Sequence, residues 1–506
     1  MSERARPFAL ALLALVGLVG GAPPRWFPGA ELAILPGLAA LDALCRVPRG
    51  AWLVLLVGFC HLAWFSRSLW PLLGPGLFLI AALGACYPWL VRAWTRAGER
   101  LGAPGLAFAC GVAATSWLRA HIPEIPYPHA QPCHAWYQWP TLLGPLRWGG
   151  EPLANLLIAW FSTALAGGFV AAERARARRV LVLVAGLWGL LVLVVPPAAS
   201  TAPGAPARSR VTVFQSAHPL PGQRSGDPEV ARARWRALVT ATLAVAGSAV
   251  TAPPALVVWP ESALPSYARG EPPALDPPLP FRLAAGTRLL CGSLLMSEPP
   301  YAIAALLDPQ GRLLDWHEKQ RPVPAAERLP FLDWLPPALA APWLEFCARI
   351  VGYRPELQAG RVRPPLRSGD GVPFAALTCF DNAFDTLSRR AVADGARLLV
   401  VLSNESWYEG GAELDQMLAM SVCRALETGT PIVRSTVDGL SCAIDAEGRL
   451  LASLPRGAGA GPTRLDLDVP LGPGALSPMA WLHELVRWLV LASALVLVPL
   501  RRARVG

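Results

Sequence analysis

Residues 374–384 read FAALTCFDNAF. The first five are the small and apolar residues of a strand buried on both faces, and Cys379 stands where that strand gives way to a turn. Two other stretches have the same form. In LVVWPESALP (256–265) Glu261 follows an apolar run and a Trp259-Pro260 stop, and in LLDWHEKQRPVP (313–324) Lys319 ends the second strand of a hairpin. Delivering a reactive side chain just past a strand end is how α/β sheets build sites. Further strand candidates lie at 210–215, 288–295, 302–308, 396–404, 431–437 and 441–454, with helical patterns over Pro228–Ala249 and Leu414–Thr428. Hairpins turn on PQG (309–311) and AEG (446–448). Apolar strands spaced by helices predict a layered α/β domain over 205–470.

Either side of that domain the chain changes character. It has 506 residues, 53% hydrophobic and only 16% charged, against about 25% charged in soluble domains. Apolar runs near Pro7–Pro24, Leu69–Val91, Leu101–Leu118, Pro152–Ala172, Val180–Ala199 and Ala480–Leu500 approach the roughly 20 residues that cross a bilayer. Two shorter runs, Leu32–Cys45 (weakened by Asp42) and Ala51–Phe65, read as two further short spans or as a re-entrant pair. The first choice gives eight spans. Residues 1–200 then form an N-terminal membrane domain of about seven spans. A Pro/Ala/Ser linker, PPAASTAPGAPARS (196–209), leads into the α/β domain, and 478–506 hold a last span and a tail.

The net charge of +10 comes almost wholly from arginine, since 44 of the 45 basic residues are Arg. One side of the predicted spans collects Arg4, Arg6, Arg46, Arg49, Arg92, Arg96, Arg100, the run RARARR (174–179) and the tail RRAR (501–504); the short opposite loops hold only Arg25, Arg67, Arg119 and Arg147. The positive-inside rule places both termini in the cytoplasm and the α/β domain outside it. The arginines form no aromatic-interleaved patch, so no nucleic-acid partner is implied. Among the ten cysteines there is no CxxC spacing and no histidine at zinc-like intervals, which predicts no metal site. Whether outer cysteines such as Cys133 and Cys347 pair stays open.

Lys319 is the only lysine. A surface cation would have drifted to arginine with the rest. Its survival points to a site that needs a compact, tunable ammonium where a planar guanidinium would not serve. Taken together, Glu, Lys and Cys supply acyl transfer through a thioester. The thiol needs a base, a poorly hydrated carboxylate can be one, and the tetrahedral oxyanion needs fixed donors.

WPES with Glu261, HEKQRPVPAAERLP with Lys319 and Glu327, and LTCFDNAF with Cys379 resemble the Glu-Lys-Cys triad of the nitrilase superfamily in order and spacing. Eight spans with such a domain between the last two resemble its membrane-embedded branch, the apolipoprotein N-acyltransferases of bacterial envelopes. SNESWYEGG (403–411), QMLAMSVCRALETGTPIVRST (416–436), SWLRA (116–120) and HAWYQWPTLLGPL (134–146) are also family-like. The resemblance implies an α-β-β-α sandwich on a multi-span membrane domain, in the bacterial inner membrane with the catalytic domain periplasmic. It implies an acyl chain taken from a phospholipid onto Cys379 and passed to the amine of a diacylglyceryl-cysteine apolipoprotein. Glu261 would be the general base, Lys319 the oxyanion and positioning group, and Glu327 and Asp381 supporting carboxylates. No cofactor or metal is implied, and nothing calls for more than a monomer among membrane lipids.

The stretch RLPFLDWLPPALAAPWLEFCARIVGY (328–353) is too polar to span and too apolar to face water. With Trp334 and Trp343 it reads as a lid or arm at the membrane interface, or as a core helix pair. Trp259, Asn404, Trp407 and Tyr408 are further candidates for substrate contact, the last three in a loop with the Gly and aromatic content of a cover. Four places depart from the family pattern: Ala325-Ala326 for Phe-Gly, Phe380-Asp381 for Tyr-Glu, Asn404–Tyr408 for Asn-Asp-Ala-Trp-Phe, and Val437-Asp438-Gly439 for Asn-Asn-Gly. Two other functions compete: a tethered amidase acting on a small extracytoplasmic substrate, and an inactive paralogue kept as a lipid- or partner-binding module.

Overall fold

The structure, a computed structural model, describes residues 5–22, 28–70, 74–197, 207–216, 228–247, 253–264, 267–270, 273–276, 279, 282–351, 354–408, 411–437, 439–456 and 461–497. It divides into two units, one of Met1–Pro197, Tyr408–Glu427 and Pro478–Gly506, the other of Ala198–Trp407 and Thr428–Ser477. Asp438, most of the linker and the arginines of the tail fall outside the described residues.

The second unit is built on two sheets. Its strands are β1 (Arg208–Gln215), β2 (Leu256–Val258), β3 (Tyr267–Arg269), β4 (Ala274–Asp276), β5 (Arg288–Leu295), β6 (Tyr301–Leu307), β7 (Leu313–Glu318), β8 (Leu366–Arg367), β9 (Pro373–Thr378), β10 (Leu398–Asn404), β11 (Ile432–Val437), β12 (Cys442–Ile444), β13 (Leu450–Ser453) and β14 (Thr463–Pro470). One sheet runs β14-β1-β2-β5-β3-β4, with β6 on β5 and β7 on β6; the other runs β13-β12-β11-β10-β9-β8. The period-2 alternation of a strand explains the layering. Val211, Val213, Val258, Leu290, Ala304 and Leu306 of the first sheet share one core with Phe374, Ala376, Leu398, Val400, Leu402 and Val433 of the second. Their neighbours Phe214, Val257, Leu289, Ile303, Ala305 and Leu307 point the other way and pack with Leu238 of the helix Pro228–Gly247. Beside the second sheet the helix Asp385–Ala393 packs on β9. The second unit is therefore a face-to-face sheet pair with helices outside, the α/β sandwich expected. Strands β3, β4, β8 and β14 add to the predicted set. The signal for β14 is its alternation, RLDLDV (464–469), with Asp466 and Asp468 spaced by two.

In the first unit each predicted apolar run overlaps a helix among the described residues, with shifted bounds: Arg6–Gly21, Ile34–Arg46, Ala51–Phe65, Leu77–Arg100, Pro104–His121, Leu146–Gly167, Arg174–Leu193 and Trp481–Leu497. Only Gly74–Arg100 is long and apolar enough on its own to cross a membrane among the described residues; Arg6–Gly21 and Ala51–Phe65 are shorter apolar helices. Large apolar side chains such as Leu12, Leu13, Leu79, Val182, Leu183 and Leu489 stand outward and exposed. Inside, small residues let backbones meet: a Cβ on Gly17 would come within 2.4 Å of Gly37 Cα. Asp42, the charge that weakened one run, is buried against Arg46 one turn on, whose Nε donates to it at 3.1 Å. The helix Ala412–Thr428 belongs to this unit although the sequence placed it within the α/β domain. Its polar side chains explain why: Asp415 accepts from the Tyr137 hydroxyl at 3.1 Å, and Arg424 donates to Glu151 at 2.8 Å.

Candidate active site

The three sequence motifs converge in the second unit. Strands β2, β7 and β9 each end one to three residues before Glu261, Lys319 and Cys379. Their ends are held in register: Lys319 N–H continues the ladder to Ala302 O at 2.8 Å, and Trp259 N–H reaches Leu290 O at 2.9 Å. The turn that follows is left-handed at Ser262 (φ 56°) and at Cys379 (φ 50°). A non-glycine residue is costly there, by roughly 1–2 kcal/mol, and such cost is stored where a side chain must be aimed.

Lys319 is 1% exposed, and its Nζ donates to Glu261 Oε1 at 3.1 Å and to Glu327 Oε1 at 2.7 Å. Both carboxylates are fixed from behind. Glu261 Oε2 accepts the backbone N–H of Asn404 at 2.8 Å, and Glu327 Oε2 accepts that of Val323 at 2.8 Å. Burial raises the Glu261 carboxyl above the ordinary range; Lys319 pulls it back and Glu327 pushes it further up. Burial also works against the charge on Lys319, but the two glutamates more than reverse this and hold its ammonium well above the usual lysine value. The Cys379 thiol is pushed up, first by burial and then by Glu261, while Lys319 opposes both. Cys379 thus rests as a thiol beside a carboxylate made basic by desolvation. A proton passed from sulfur to Glu261 leaves a thiolate next to a fixed cation, which is the arrangement nucleophilic acyl chemistry needs.

Asp381, in place of the family's longer glutamate, feels the Lys319 charge but spends its carboxylate on backbone N–H groups. Its carboxylate caps the turn after the lysine, accepting from Gln320 N–H at 3.1 Å, Arg321 N–H at 2.8 Å and Thr378 N–H at 3.2 Å. Burial lifts it to about 6 against Lys319 and those N–H groups. Ala325-Ala326 is tolerated because the left-handed residue is Ala325 (φ 63°), so Ala326 needs no glycine freedom.

The remaining candidates separate. Asn404 is buried and gives its N–H to Glu261. It is itself pinned: its Oδ1 accepts from the Ser406 hydroxyl at 2.7 Å, and next to it Glu405 pairs with the buried Arg434. Trp259 does not serve as a substrate contact. It is fully buried in the core under the helix Pro228–Gly247, and its indole N–H donates to Thr242 at 3.0 Å, because the apolar run that delivers Glu261 must bury its other face. Trp334 and Trp343 are 70% and 45% exposed. On the helix Pro337–Val351 Leu339 and Phe346 are exposed too, whereas Leu344 is buried, a pattern against a core helix pair. Tyr408 falls with the first unit, its ring 6.4 Å from that of His129. The Trp407 side chain lies outside the described residues.

Sequence reasoning missed the backbones that close around the site. A Cβ on Gly292 would lie 2.7 Å from Glu261 Cα, and one on Gly360 would lie 2.3 Å from Glu318 Cβ, where Gly360 N–H bonds Lys319 O at 2.8 Å. A glycine inside the β5 run was the available signal for the first; the second comes from a loop and had none. Spacing also gave no sign of a buried cluster of candidate ligands. In the first unit Cys133, His134, Glu151 and Cys423 are all buried, with donor atoms within 4.8 Å of one another.

A family profile described as carbon–nitrogen hydrolase matches residues 210–468. A protein named apolipoprotein N-acyltransferase from Gloeobacter violaceus is 30% identical over 498 residues, covering 88% of this chain and 86% of its own. One of the same name from Caulobacter vibrioides is 25% identical, covering 74% and 69%. Another, from Geobacter metallireducens, is 30% identical over 213 residues, 40% of this chain and 38% of the relative, so the chain matches about two-fifths of that relative's length. Among solved structures, an amidase from Nesterenkonia sp. shares 19% identity over 54% of this chain and 94% of its own, at a TM-score of 0.33.

Proposed function

The chain belongs to the apolipoprotein N-acyltransferase family of the carbon–nitrogen hydrolases, and from that premise we propose that it completes bacterial lipoproteins through an acyl-enzyme on Cys379. The thiol loses its proton to Glu261 and attacks an ester carbonyl of a phospholipid. A carbon–sulfur bond forms, the carbon–oxygen bond breaks, and Glu261 returns the proton to the leaving alkoxide, giving lysophospholipid. In the second half the α-amine of a diacylglyceryl-cysteine apolipoprotein attacks the thioester, Glu261 takes the amine's proton, and the thiol is regenerated with an amide as product. Lys319 supplies a fixed donor to each tetrahedral oxyanion, and Glu327 and Asp381 hold the lysine and the turn after it.

The observation that carries the reading is the buried Lys319 ammonium held between Glu261 and Glu327 beside Cys379. Both substrates are lipids, which supports the topology read from the arginines: eight spans, both termini cytoplasmic, and the sandwich on the outer face of the bacterial inner membrane. The exposed Trp334, Leu339, Trp343 and Phe346 fit an arm that meets lipid at the interface. The protein would work as a monomer without a cofactor. Purified protein, given phospholipid and a synthetic diacylglyceryl peptide, should yield an N-acylated peptide by mass spectrometry. Hydrolysis of small amides with no peptide acylation would instead select the tethered amidase.

A further inference from the structure

The first unit holds a second group of reactive side chains that this reaction does not use. Cys133 and His134 sit on the short 3-10 helix Pro132–Trp136. Glu151 stands at the start of the helical run that follows the Gly149–Gly150 break, and Cys423 lies on the helix Ala412–Thr428. We propose that these four side chains form a structural zinc site.

The donor set is the first argument. Two thiols, an imidazole and a carboxylate are the ligands zinc takes, and sulfur donors disfavour magnesium and calcium. Geometry is the second. Four atoms within 4.8 Å of one another all lie within about 2.9 Å of a common centre, so a closure of roughly 0.6–0.9 Å per ligand reaches zinc bond lengths of about 2.0–2.3 Å. The supporting shell is the third. His134 Nε2 lies 3.1 Å from Glu151 Oε1, and among the described residues Nδ1 pairs with no oxygen or nitrogen although the ring is buried. Arg424 Nη2 donates to Glu151 at 2.8 Å and is itself held by Glu427, while Cys133 N–H donates to Asn155 Oδ1 at 2.9 Å and Asn155 in turn to Gln131 at 2.7 Å. Arg424 and Asn155, outside the four, thus hold Glu151 and the Cys133 backbone in place, the outer support a metal site requires. Four protein ligands leave no open position, so the ion would be structural, tying the turn at 132–136 to the helix at 412–428.

The test is the metal content of the full-length protein purified in detergent without chelator. About one zinc per chain is expected, lost in Cys133→Ser and in Cys423→Ser and kept in Cys347→Ser. Zinc at the detergent blank, or zinc retained in both variants, would overturn the site. If the variants fail to fold, the parent decides alone: stripped and reconstituted with cobalt, it should gain thiolate charge-transfer and tetrahedral d–d absorption bands, and their absence overturns the proposal. So does a Cys133–Cys423 disulfide, which leaves eight of the ten cysteines open to alkylation after denaturation where the zinc site leaves all ten.

Discussion

Each unit buries a cation between two glutamates beside a cysteine, and the two clusters differ in the cation. Near Cys379, Lys319 gives one hydrogen bond to Glu261 and one to Glu327. Next to Cys423, Arg424 locks Glu427 with Nε at 2.6 Å and Nη2 at 3.0 Å, and reaches Glu151 as well. An ammonium is a compact point charge with three rotatable donors, so it can release a partner and turn toward a new oxygen. A guanidinium is a planar fork that commits its donors at once. The first cluster suits a site where charge appears and disappears; the second suits a framework. In a chain whose other 44 Lys/Arg positions are all arginine, the one lysine sits where the proposed reaction moves charge.

The largest expected effect is on the nucleophile: Cys379→Ala forms no acyl-enzyme, while a serine at Cys423 leaves acylation measurable in whatever protein folds. Next is Glu261→Gln, for which single-turnover acylation should fall about 10²–10⁴-fold through loss of the base. Exchanging the cations sharpens the comparison. Lys319→Arg should cost about 10²–10³-fold in acylation, the loss of a fixed oxyanion donor. Arg424→Lys should leave the acylation rate in place and cost about 1.5–3 kcal/mol of stability per lost charged hydrogen bond, read as a lower Tm. Equal rate losses from both exchanges would erase the distinction.

The pH dependence is subtler. Acylation needs ionised Glu261, whose pKa burial has raised, so the acid limb of the rate should lie above the ordinary carboxylate range. Because Glu327 pushes Glu261 further up, Glu327→Gln should move that limb to lower pH. Asp381 tests the sign in stability. Its folded pKa of about 6 stands above the ordinary aspartate value of 3.8, so its contribution is present below about pH 4 and lost as pH rises through 6. Asp381→Asn should flatten the Tm profile across that window. The smallest effect belongs to the exposed arm: Trp334→Ser with Trp343→Ser should raise KM for phospholipid in vesicles a few-fold and leave kcat unchanged, as expected for roughly 1 kcal/mol of interfacial contact.

Much of the fold could be read directly from local pattern. Strands such as 398–404 are buried on both sides and announce themselves as apolar runs, and the reactive residues stand where those runs stop. The same rule misled at Trp259. Proximity to Glu261 in sequence made it a substrate contact, whereas strand alternation turns it into the core. Sequence order alone puts Tyr408–Glu427 with the sandwich, because their helix lies between β10 and β11. Their grouping with the first unit depends on Arg424 meeting Glu151, 273 residues away. The cysteine–histidine group was hidden for that reason: Cys133 and Cys423 have no informative spacing, and only the packed chain brings them together. Gly360, which passes over the end of β7, belongs to a loop and left no trace in periodicity.

The central claim is that Cys379 carries the acyl chain and needs an ammonium at 319 to do so. Intact-mass spectrometry of the purified protein after incubation with phospholipid and no acceptor tests it directly. The account predicts one hydroxylamine-labile fatty-acyl increment on the parent, none on Cys379→Ala, and a severe loss on Lys319→Arg. A parent that gains no increment while its thiol remains reactive, or a Lys319→Arg variant acylated at the parent rate, would contradict it.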